Sequence, residues 1–258
     1  MNNHIVSISG GSASAVTAER VIKRYGKEAV KLWFADTLWE DEDLYRFLND
    51  LESRWGMTIE RFTDGRTPLE VAEEKKLIPN SFAAPCSHEM KQKPFMRYIK
   101  SQPKPLTIHL GLSWDEEHRM QKPKEIYESV EGVTVDFPLL WKPIPYMSYT
   151  LTVAEWGIKP PRLYEMGFPH NNCGGRCVRQ GIKEWIRLKR TMPERFEEVK
   201  QWEQAQRNKG EPRASRSIAK RSINNEVRAY TLAELESEKD TGQIEMFPGD
   251  SFGCFCEY

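Results

Sequence analysis

The stretch "HIVSISGGSASAV", residues 4–16, decides the fold class. Residues 4–9 are rich in apolar and β-branched side chains, which predicts a buried strand. From Ala15 onwards apolar residues recur at the spacing of one helix face, which predicts a helix. The turn between them contains only glycine, serine and alanine, so the backbone there can approach a ligand closely. A strand, a small-residue turn and a helix in this order present unpaired backbone N–H groups to an anion.

The same alternation of strand and helix continues to about residue 140. Four further strands are predicted at 29–35, 57–62, 106–111 and 133–139, with helical stretches between them near 41–55, 86–100 and 115–130. Strands that alternate with helices are typical of α/β proteins. We therefore predict a five-stranded parallel sheet with helices on both faces.

The character of the chain changes at about residue 141. The following stretch is rich in proline, glycine and aromatic residues, and two better helices are predicted at 178–190 and 193–206. We therefore predict an α/β domain over 1–140. A small helical and irregular region follows over 141–258 and contains most of the cysteines.

Charge is balanced over the whole chain but not locally. Lys plus Arg and Asp plus Glu both number 38, so overall charge predicts neither nucleic-acid nor membrane binding. Residues 207–222, in contrast, contain six basic residues and one acidic residue. We expect a mobile segment there, either a solvated surface or a site for a polyanion such as tRNA or DNA.

Neither the apolar runs nor the N-terminal residues indicate a membrane or secreted protein. No apolar run approaches the length that spans a bilayer. The N-terminal "MNNHIVSISGG" lacks the layout of a signal peptide. We expect a cytoplasmic protein without a membrane partner, and a homo-oligomer is compatible with the sequence.

The glycine–serine loop does not match the two commonest phosphate-binding patterns. It lacks the G-K-[ST] end of a Walker A motif and the G-x-G-x-x-G spacing. On the loop alone, a serine-rich turn in which Ser14 caps the helix is an alternative to an anion site.

The loop "SGGSAS", residues 9–14, resembles the S-G-G-x-D-S motif of PP-loop enzymes, the adenine-nucleotide α-hydrolase superfamily. The resemblance implies that the loop binds the phosphate or sulfate end of ATP or of another adenine nucleotide such as phosphoadenosine phosphosulfate (PAPS). The residues implied are Ser9, Gly10, Gly11, Ser12 and Ser14. Ala13 stands where many members have an aspartate that takes part in ATP cleavage. Cleavage would then need another Mg²⁺ ligand, such as Asp36, Asp115 or Glu116.

Two later stretches resemble motifs of sulfonucleotide reductases from the same superfamily. "APCSHEMKQKPF", residues 84–95, resembles C-C-x-x-R-K-x-x-P-L, with Cys86 and Lys91 in matching positions. "GLSWDEEHR", residues 111–119, resembles G-x-R-x-x-Q/E-S-x-x-R, with Arg119 at its end. The layout is similar to PAPS reductase-like proteins of phages and mobile elements. It implies that Lys91 and Arg119 neutralise phosphate or sulfate charge.

Asp36 and Thr37 directly follow the second predicted strand. Ligands of open α/β sheets bind at the carboxyl ends of the strands, so we expect Asp36 to contact the adenosine. The alternative is that the pair caps the helix that begins near residue 41.

Five cysteines in a reducing compartment are better suited to ligands or nucleophiles than to disulfides. We predict a metal site formed by Cys86, Cys173, Cys177 and Cys254, which holds an iron–sulfur cluster or a zinc ion. Reduced or disulfide-forming thiols are the third interpretation. The tail lies where the resembled reductases have a catalytic cysteine, which implies Cys256, or Cys254 if it is not a ligand, as the nucleophile.

Three functions are therefore open. The first is an enzyme of sulfur chemistry that uses an adenine nucleotide and a metal–sulfur centre, by reducing a sulfonucleotide or by transferring sulfur. The second is an ATP pyrophosphatase that adenylates a nucleobase of tRNA or DNA. The third is a catalytically inactive nucleotide-binding module, because Ala13 replaces the aspartate.

Overall fold

The computed structural model describes residues 3–145, 147–223 and 226–238. One sheet consists of β1 Asn3–Ile8, β2 Val30–Asp36, β3 Ile59–Thr63, β4 Leu106–His109 and β5 Val133–Asp136. The strand order is β3-β2-β1-β4-β5, and all neighbours pair in parallel. The predicted α/β fold is confirmed. The order adds that β1 is central and that the chain direction switches beside it, which is where open α/β sheets bind ligands.

Ten α-helices accompany the sheet in the described residues. They are α1 Ser12–Tyr25, α2 Glu42–Trp55, α3 Pro68–Glu74, α4 Lys93–Ser101, α5 Gln121–Tyr127, α6 Met147–Glu155, α7 Arg162–Glu165, α8 Ile182–Thr191, α9 Pro193–Arg207 and α10 Leu232–Ser237. A π-helical segment, Ser87–Gln92, runs directly into α4. None of the helices in this part of the chain combines the length and apolar character needed to cross a membrane.

Side chains of β1 alternate between two cores. Val6 packs in a core with residues of α1, α2 and α6, whereas Ile5 packs in a second core with residues of α4 and α5. This alternation follows from the two-residue period of a strand. Helices therefore cover both faces of the sheet, as predicted.

A third core lies in the C-terminal part of the chain. Trp185 of α8 and Phe196 of α9 are almost completely buried there, together with Trp39 and Leu69 from the sheet part of the chain. The C-terminal region is thus packed onto the residues that follow β2.

The basic segment 207–222 differs from the expected mobile stretch. Its last residues begin β6 Ala219–Ile223, which pairs antiparallel with β7 Glu226–Tyr230. The buried carboxylate of Glu203 in α9 accepts hydrogen bonds from the backbone N–H of Ile218 and of Leu232, both at 2.7 Å. The sequence did not predict this hairpin. Glu203, which anchors it, lies in α9, and no local pattern links that side chain to the two strands.

Candidate functional site

The loop after β1 bends at Gly10 and enters α1 at Ser12. Gly10 has φ +84°, a conformation that favours glycine. A Cβ atom at Gly10 would lie 2.5 Å from Cδ1 of Leu44, a completely buried residue of α2. Glycine is therefore required here both by the turn and by the packing of α2 against the loop.

Two of the predicted serines hold the loop in shape. The Ser14 hydroxyl donates to the carbonyl of Gly11 at 2.8 Å. It also accepts from the backbone N–H of Ser9 at 3.2 Å and lies 3.1 Å from the Ser9 hydroxyl. Ser9 and Ser14 thus brace the turn, but the alternative in which Ser14 caps the helix is wrong, because α1 begins at Ser12 after Gly11 and no side chain of the described residues caps it.

Two buried polar atoms beside the loop have no partner among the described residues. One is Oγ of Ser12, in the first turn of α1, and the other is Oδ1 of Asn171. The amide nitrogen of Asn171 donates to the carbonyl of Gly10 at 2.9 Å, which places this side chain against the loop. Buried polar atoms without partners are costly unless a ligand or water satisfies them. Both oxygens are thus available to a water molecule or a ligand beside the loop.

Tyr164 of α7 covers the start of α1. Its hydroxyl oxygen accepts the backbone N–H of Ser12 at 3.2 Å. The pocket that remains against the loop has a volume of about 20 Å³, close to the space of one water molecule. It is lined by Ser9, Gly11, Ala13, Gly111, Glu116, Arg119, Tyr164, His170, Asn171 and Asn172. A phosphate or sulfate group would have to displace the Tyr164 hydroxyl to reach this N–H.

Arg119 lies where the resemblance implies, in the pocket beside the loop. Its guanidinium pairs with Glu116 of the same 3₁₀ turn, Trp114–Arg119. Asp115 accepts a hydrogen bond from Ser113. Glu116 and Asp115, the suggested substitutes for the missing aspartate, therefore already have partners within this turn.

A second small pocket lies along the carboxyl ends of β1 and β2. Its volume is about 20 Å³, and it is lined by Ser7, Ile8, Ser9, Trp33, Phe34, Ala35, Lys91, Phe95 and Tyr127. Its aromatic side chains are almost completely buried. Lys91 lines this pocket and not the one against the loop, so its predicted role towards phosphate or sulfate stays a prediction.

Asp36 occupies the predicted position at the end of β2, but its contacts are local. Oδ1 of Asp36 accepts the backbone N–H of Leu38 and the hydroxyl of Tyr45, both at 2.8 Å. Neither pocket described above is lined by Asp36. A role of Asp36 towards adenosine stays a prediction.

Glu40 is a site residue that the sequence analysis missed. Its carboxylate accepts the hydroxyl of Thr37 at 2.9 Å and the backbone N–H of Cys173 at 2.6 Å. Burial raises the pKa of Glu40 above that of an ordinary glutamate, while the Lys91 cation and the two hydrogen bonds oppose the rise. The Glu40 carboxylate therefore interacts both with the turn that carries Cys173 and with the Lys91 cation. The acidic run after β2 was the only available signal, and it was interpreted as a helix start.

The turn that carries Cys173 is tightly constrained. Cys173, Gly174 and Gly175 all have positive φ, at 50°, 57° and 79°. Positive φ is unusual for a cysteine, so the surrounding contacts hold it there. Arg176 fastens the turn by donating to the carbonyl of Trp39 at 3.1 Å, and its guanidinium lies 4.5 Å from the Trp39 ring.

Three of the predicted metal ligands share one core. Cys86, Cys173 and Cys177 are buried in the C-terminal core, with exposures of 8%, 5% and 4%. Within the described ranges, no three histidine, cysteine, aspartate or glutamate side chains converge in a metal-binding geometry. Cys254 and Cys256 lie outside the described residues. The donor set is all thiol, which fits a zinc ion or an iron–sulfur cluster if further ligands join it.

Residues 41–43 join the loop region to the C-terminal part. Asp41 is 1% exposed and pairs with Arg162 at 2.8 Å and with Arg195 at 2.7 Å. Burial alone would raise the pKa of Asp41, but the hydrogen bonds from the two arginines outweigh it, so the pKa lies below the usual range. This ion-pair cluster positions α7, and with it Tyr164, over the loop.

Comparisons with known proteins identify the family of this chain. Residues 3–169 match the family described as "Phosphoadenosine phosphosulfate reductase domain". No curated protein matches the chain significantly. Among solved structures, the PAPS reductase of Candida auris in a phosphate complex is similar, with 15% identity over 65% of this chain and 79% of that chain and a TM-score of 0.44. Because the family match spans more than half of the chain, the protein belongs to the phosphoadenosine phosphosulfate reductase domain family.

Proposed function

We propose that this protein is an enzyme that binds an adenine nucleotide at the loop 9–14 and carries out metal-assisted sulfur chemistry on it. The observation that carries the proposal is the pair of buried, unpartnered oxygens, Ser12 Oγ and Asn171 Oδ1, beside the N-terminus of α1. Backbone N–H groups at a helix start favour anions. The Ser12 hydroxyl adds a donor for a phosphate or sulfate oxygen, and the Asn171 oxygen accepts from a bound water or a ligand hydroxyl.

In this proposal the phosphosulfate or triphosphate end lies at the loop, and Arg119 neutralises part of its charge. The adenosine extends along the carboxyl ends of β1 and β2 towards Trp33 and Phe95, which line the second pocket. Both pockets are small in this structure, so binding requires movement of side chains such as Tyr164 and Lys91.

Two sulfur reactions fit such a site. In reduction, the Cys256 thiolate attacks the sulfate sulfur of PAPS, an S–S bond forms, the S–O bond breaks, and adenosine 3′,5′-bisphosphate leaves. An external thiol then attacks the cysteine sulfur, which releases sulfite and leaves a disulfide. In transfer, an acceptor oxygen attacks the α-phosphorus of ATP and pyrophosphate leaves, after which a sulfur nucleophile displaces AMP. The transfer reaction would use Mg²⁺.

The proposed metal centre comprises Cys86, Cys173, Cys177 and Cys254. Three of these thiols are buried in one core, and the Cys173 backbone is held by Glu40. A bound iron–sulfur cluster would supply a redox-active centre, and zinc would supply a structural cross-link. We also propose that the basic segment 207–222 contacts a nucleic acid, and that 1–140 and 141–258 act as separate functional parts.

The substitution Ser12→Ala tests the nucleotide site without disturbing the fold. The Ser12 hydroxyl makes no hydrogen bond to a described residue, so its removal leaves folding stability unchanged or slightly higher. We expect calorimetry to show about three- to tenfold weaker binding of PAPS, adenosine 3′,5′-bisphosphate or ATP, the loss of about one hydrogen bond.

The matched control is Ser53→Ala, on the exposed side of α2, where the hydroxyl bonds only to the carbonyl of Asn49. This variant should bind all three nucleotides as the wild type does. Absence of binding by the wild type, or equal affinities in the wild type and Ser12→Ala, would refute the proposed site. Pyrophosphate release with ATP would indicate transfer, whereas sulfite release with PAPS would indicate reduction.

A further inference from the structure

A third cavity, much larger than the two pockets described above, lies beside the pocket against the loop. Its volume is about 520 Å³, which lies in the range of sites that hold nucleotide-sized molecules. Arg119 lines this cavity and also the pocket against the loop. A molecule in the cavity would therefore be adjacent to the reactive end of a nucleotide bound at the loop.

The lining of this cavity favours an anion. Its charged and imidazole side chains are Arg119, Lys122, Arg179, His88 and His118, and no carboxylate of the described residues lines it. Glu116 pairs with Arg119 and offsets one of these charges. Lys122 and Arg179 are further cations of the wall, and a concave surface of one sign concentrates ligands of the opposite sign.

An aromatic side chain stands at the edge of the cavity. Phe82 is 67% exposed, which is unusual for a phenylalanine, and it lines the cavity. The ammonium of Lys220 lies 3.7 Å from the centre of its ring. Exposed aromatic rings next to cations are the recurring means by which proteins bind single-stranded nucleic acids, because a base stacks on the ring while cations hold the backbone.

The aromatic edge is fixed to the hairpin of β6 and β7. Oδ1 of Asn80 accepts the backbone N–H of Phe82 at 3.0 Å, and the Asn80 amide donates to the carbonyl of Ser217 at 3.4 Å. Lys220 belongs to β6. The end of the basic segment 207–222 therefore contacts Phe82 at the edge of the cavity.

We propose that the cavity binds single-stranded nucleic acid, with one base stacked on Phe82 and the neighbouring phosphates held by Lys122 and Arg179. The inference rests on the proposed function, because it places this strand beside the bound nucleotide. The strand would there be the acceptor of the transfer reaction. The proposed adenosine and phosphate positions lie outside this cavity. Among the described residues, Arg119 is the one that lines both the cavity and one of the two smaller pockets.

Fluorescence anisotropy of the full chain with labelled 12-nucleotide oligo(dT) and oligo(U) tests the proposal. The wild type should bind at least one of these strands, with affinity that falls as salt rises, and should bind a 12-base-pair duplex more weakly. The comparison of oligo(dT) with oligo(U) shows whether the natural strand is DNA or RNA. Phe82→Ala should weaken binding about fivefold or more, and Lys122→Gln about threefold or more with a shallower salt dependence.

Two matched controls lie on other surfaces. Leu151 is 65% exposed and Lys100 is exposed on α4, so Leu151→Ala and Lys100→Gln should leave the oligonucleotide affinity within about twofold of the wild type. The proposal is overturned if no strand binds, if the duplex binds as well as the single strands, or if Phe82→Ala and Lys122→Gln behave as their controls do.

Competition separates this proposal from the nucleotide site. Saturating adenosine 3′,5′-bisphosphate should leave the oligonucleotide bound, and Ser12→Ala should not change oligonucleotide affinity. Displacement of the oligonucleotide by the bisphosphate would show that the cavity is part of the nucleotide site and would overturn the inference. If the wild type binds oligonucleotide through Phe82 and Lys122 but binds no adenine nucleotide, the proposed function fails and the strand-binding site stands.

Discussion

At the scale of single residues, Gly10 serves both the turn and the core. A side chain at this position meets two obstacles, a positive φ and the buried Leu44 side chain at 2.5 Å. A substitution to valine, which would be the obvious way to block an anion loop, therefore also damages the packing of α2. Loss of nucleotide binding in such a variant would not separate the site from the fold.

Gly10→Ala is predicted to lower the free energy of unfolding by about 2–4 kcal/mol, from overpacking plus backbone strain. Gly65→Ala is the matched control, because Gly65 also has positive φ, at 87°, but no atom lies within 4 Å of its added Cβ. It should cost only about 1 kcal/mol. Urea unfolding measures both. Equal losses in the two variants would mean that Leu44 moves aside freely.

Tyr164→Phe is predicted to strengthen anion binding. The Tyr164 hydroxyl accepts the Ser12 N–H that a phosphate or sulfate oxygen would use. A ligand must break this hydrogen bond, whose net value is about 1 kcal/mol, so its removal should tighten nucleotide binding about three- to fivefold. Calorimetry with adenosine 3′,5′-bisphosphate measures the change.

Tyr25→Phe, at the far end of α1, is the control for this prediction and should not alter affinity. Weaker binding by Tyr164→Phe would show instead that the hydroxyl donates to the ligand. Either result locates the phenol at the loop, but only tighter binding supports displacement of Tyr164 by the ligand.

At the scale of elements, the acidic start of α2 determines how α7 and α9 meet the loop. The Asp41 side chain caps α2 by accepting the N–H of Asp43 at 2.9 Å and also pairs with Arg162 and Arg195. The helix expected near 41–55 is confirmed as α2. That the same carboxylates also bind two distant arginines could not be inferred, because ion pairs across the fold have no local pattern.

Asp41→Asn is predicted to lower the free energy of unfolding at pH 7 by about 2 kcal/mol, between the values typical of exposed and buried ion pairs. The pKa of Asp41 is lower in the folded than in the unfolded protein. Its ionised carboxylate therefore stabilises the fold above the unfolded-state pKa, and this contribution is lost as pH falls through the folded-state pKa. The difference between wild type and variant should consequently shrink below about pH 4.

Asp50→Asn is the control on the same helix, since Asp50 is partly exposed and pairs only with Arg46 four residues before it. Chemical unfolding between pH 3 and pH 7 should show little effect of this substitution. A difference between Asp41→Asn and wild type that stays constant with pH would contradict the assigned role of the carboxylate charge.

At the scale of the whole molecule, the described cysteines come from two distant parts of the chain. Cys86 directly precedes the π-helical segment, and Cys173 and Cys177 lie around the turn that Glu40 holds. All three are in the C-terminal core. A shared metal would cross-link the sheet part to the C-terminal part, and binding energy of that kind is also folding energy.

Cys86→Ser, Cys173→Ser and Cys177→Ser are each predicted to lose the metal, and Cys256→Ser to retain it while stopping turnover. Iron, zinc and labile sulfide, measured on protein purified without oxygen, check this together with thermal stability. Removal of the metal by a chelator should lower the melting temperature of the wild type. Full metal content in Cys86→Ser would exclude a shared site, and a zinc site formed without Cys86 would then replace it.

The sequence by itself determined the fold class and the position of the loop. Strand periods, small residues at 9–14 and the start of α1 are local features, and local patterns set backbone geometry and amphipathic faces. The position of the loop follows from where β1 ends, whereas Lys91 and Arg119 were named only from the resemblance to sulfonucleotide reductase motifs. Even there, the sequence did not show that Ser9 and Ser14 brace the turn while Ser12 keeps its hydroxyl available.

Only the tertiary structure decided what surrounds the loop. Tyr164, Asn171 and Glu40 reach the loop or the cysteine turn from elements far away in sequence, and Phe82 meets Lys220 across 138 positions of the chain. Such contacts depend on how helices and loops pack onto the sheet, which is set by burial summed over the whole chain and not by any local period. For that reason the sequence located the loop, whereas the cover over it and the cavity beside it required the fold.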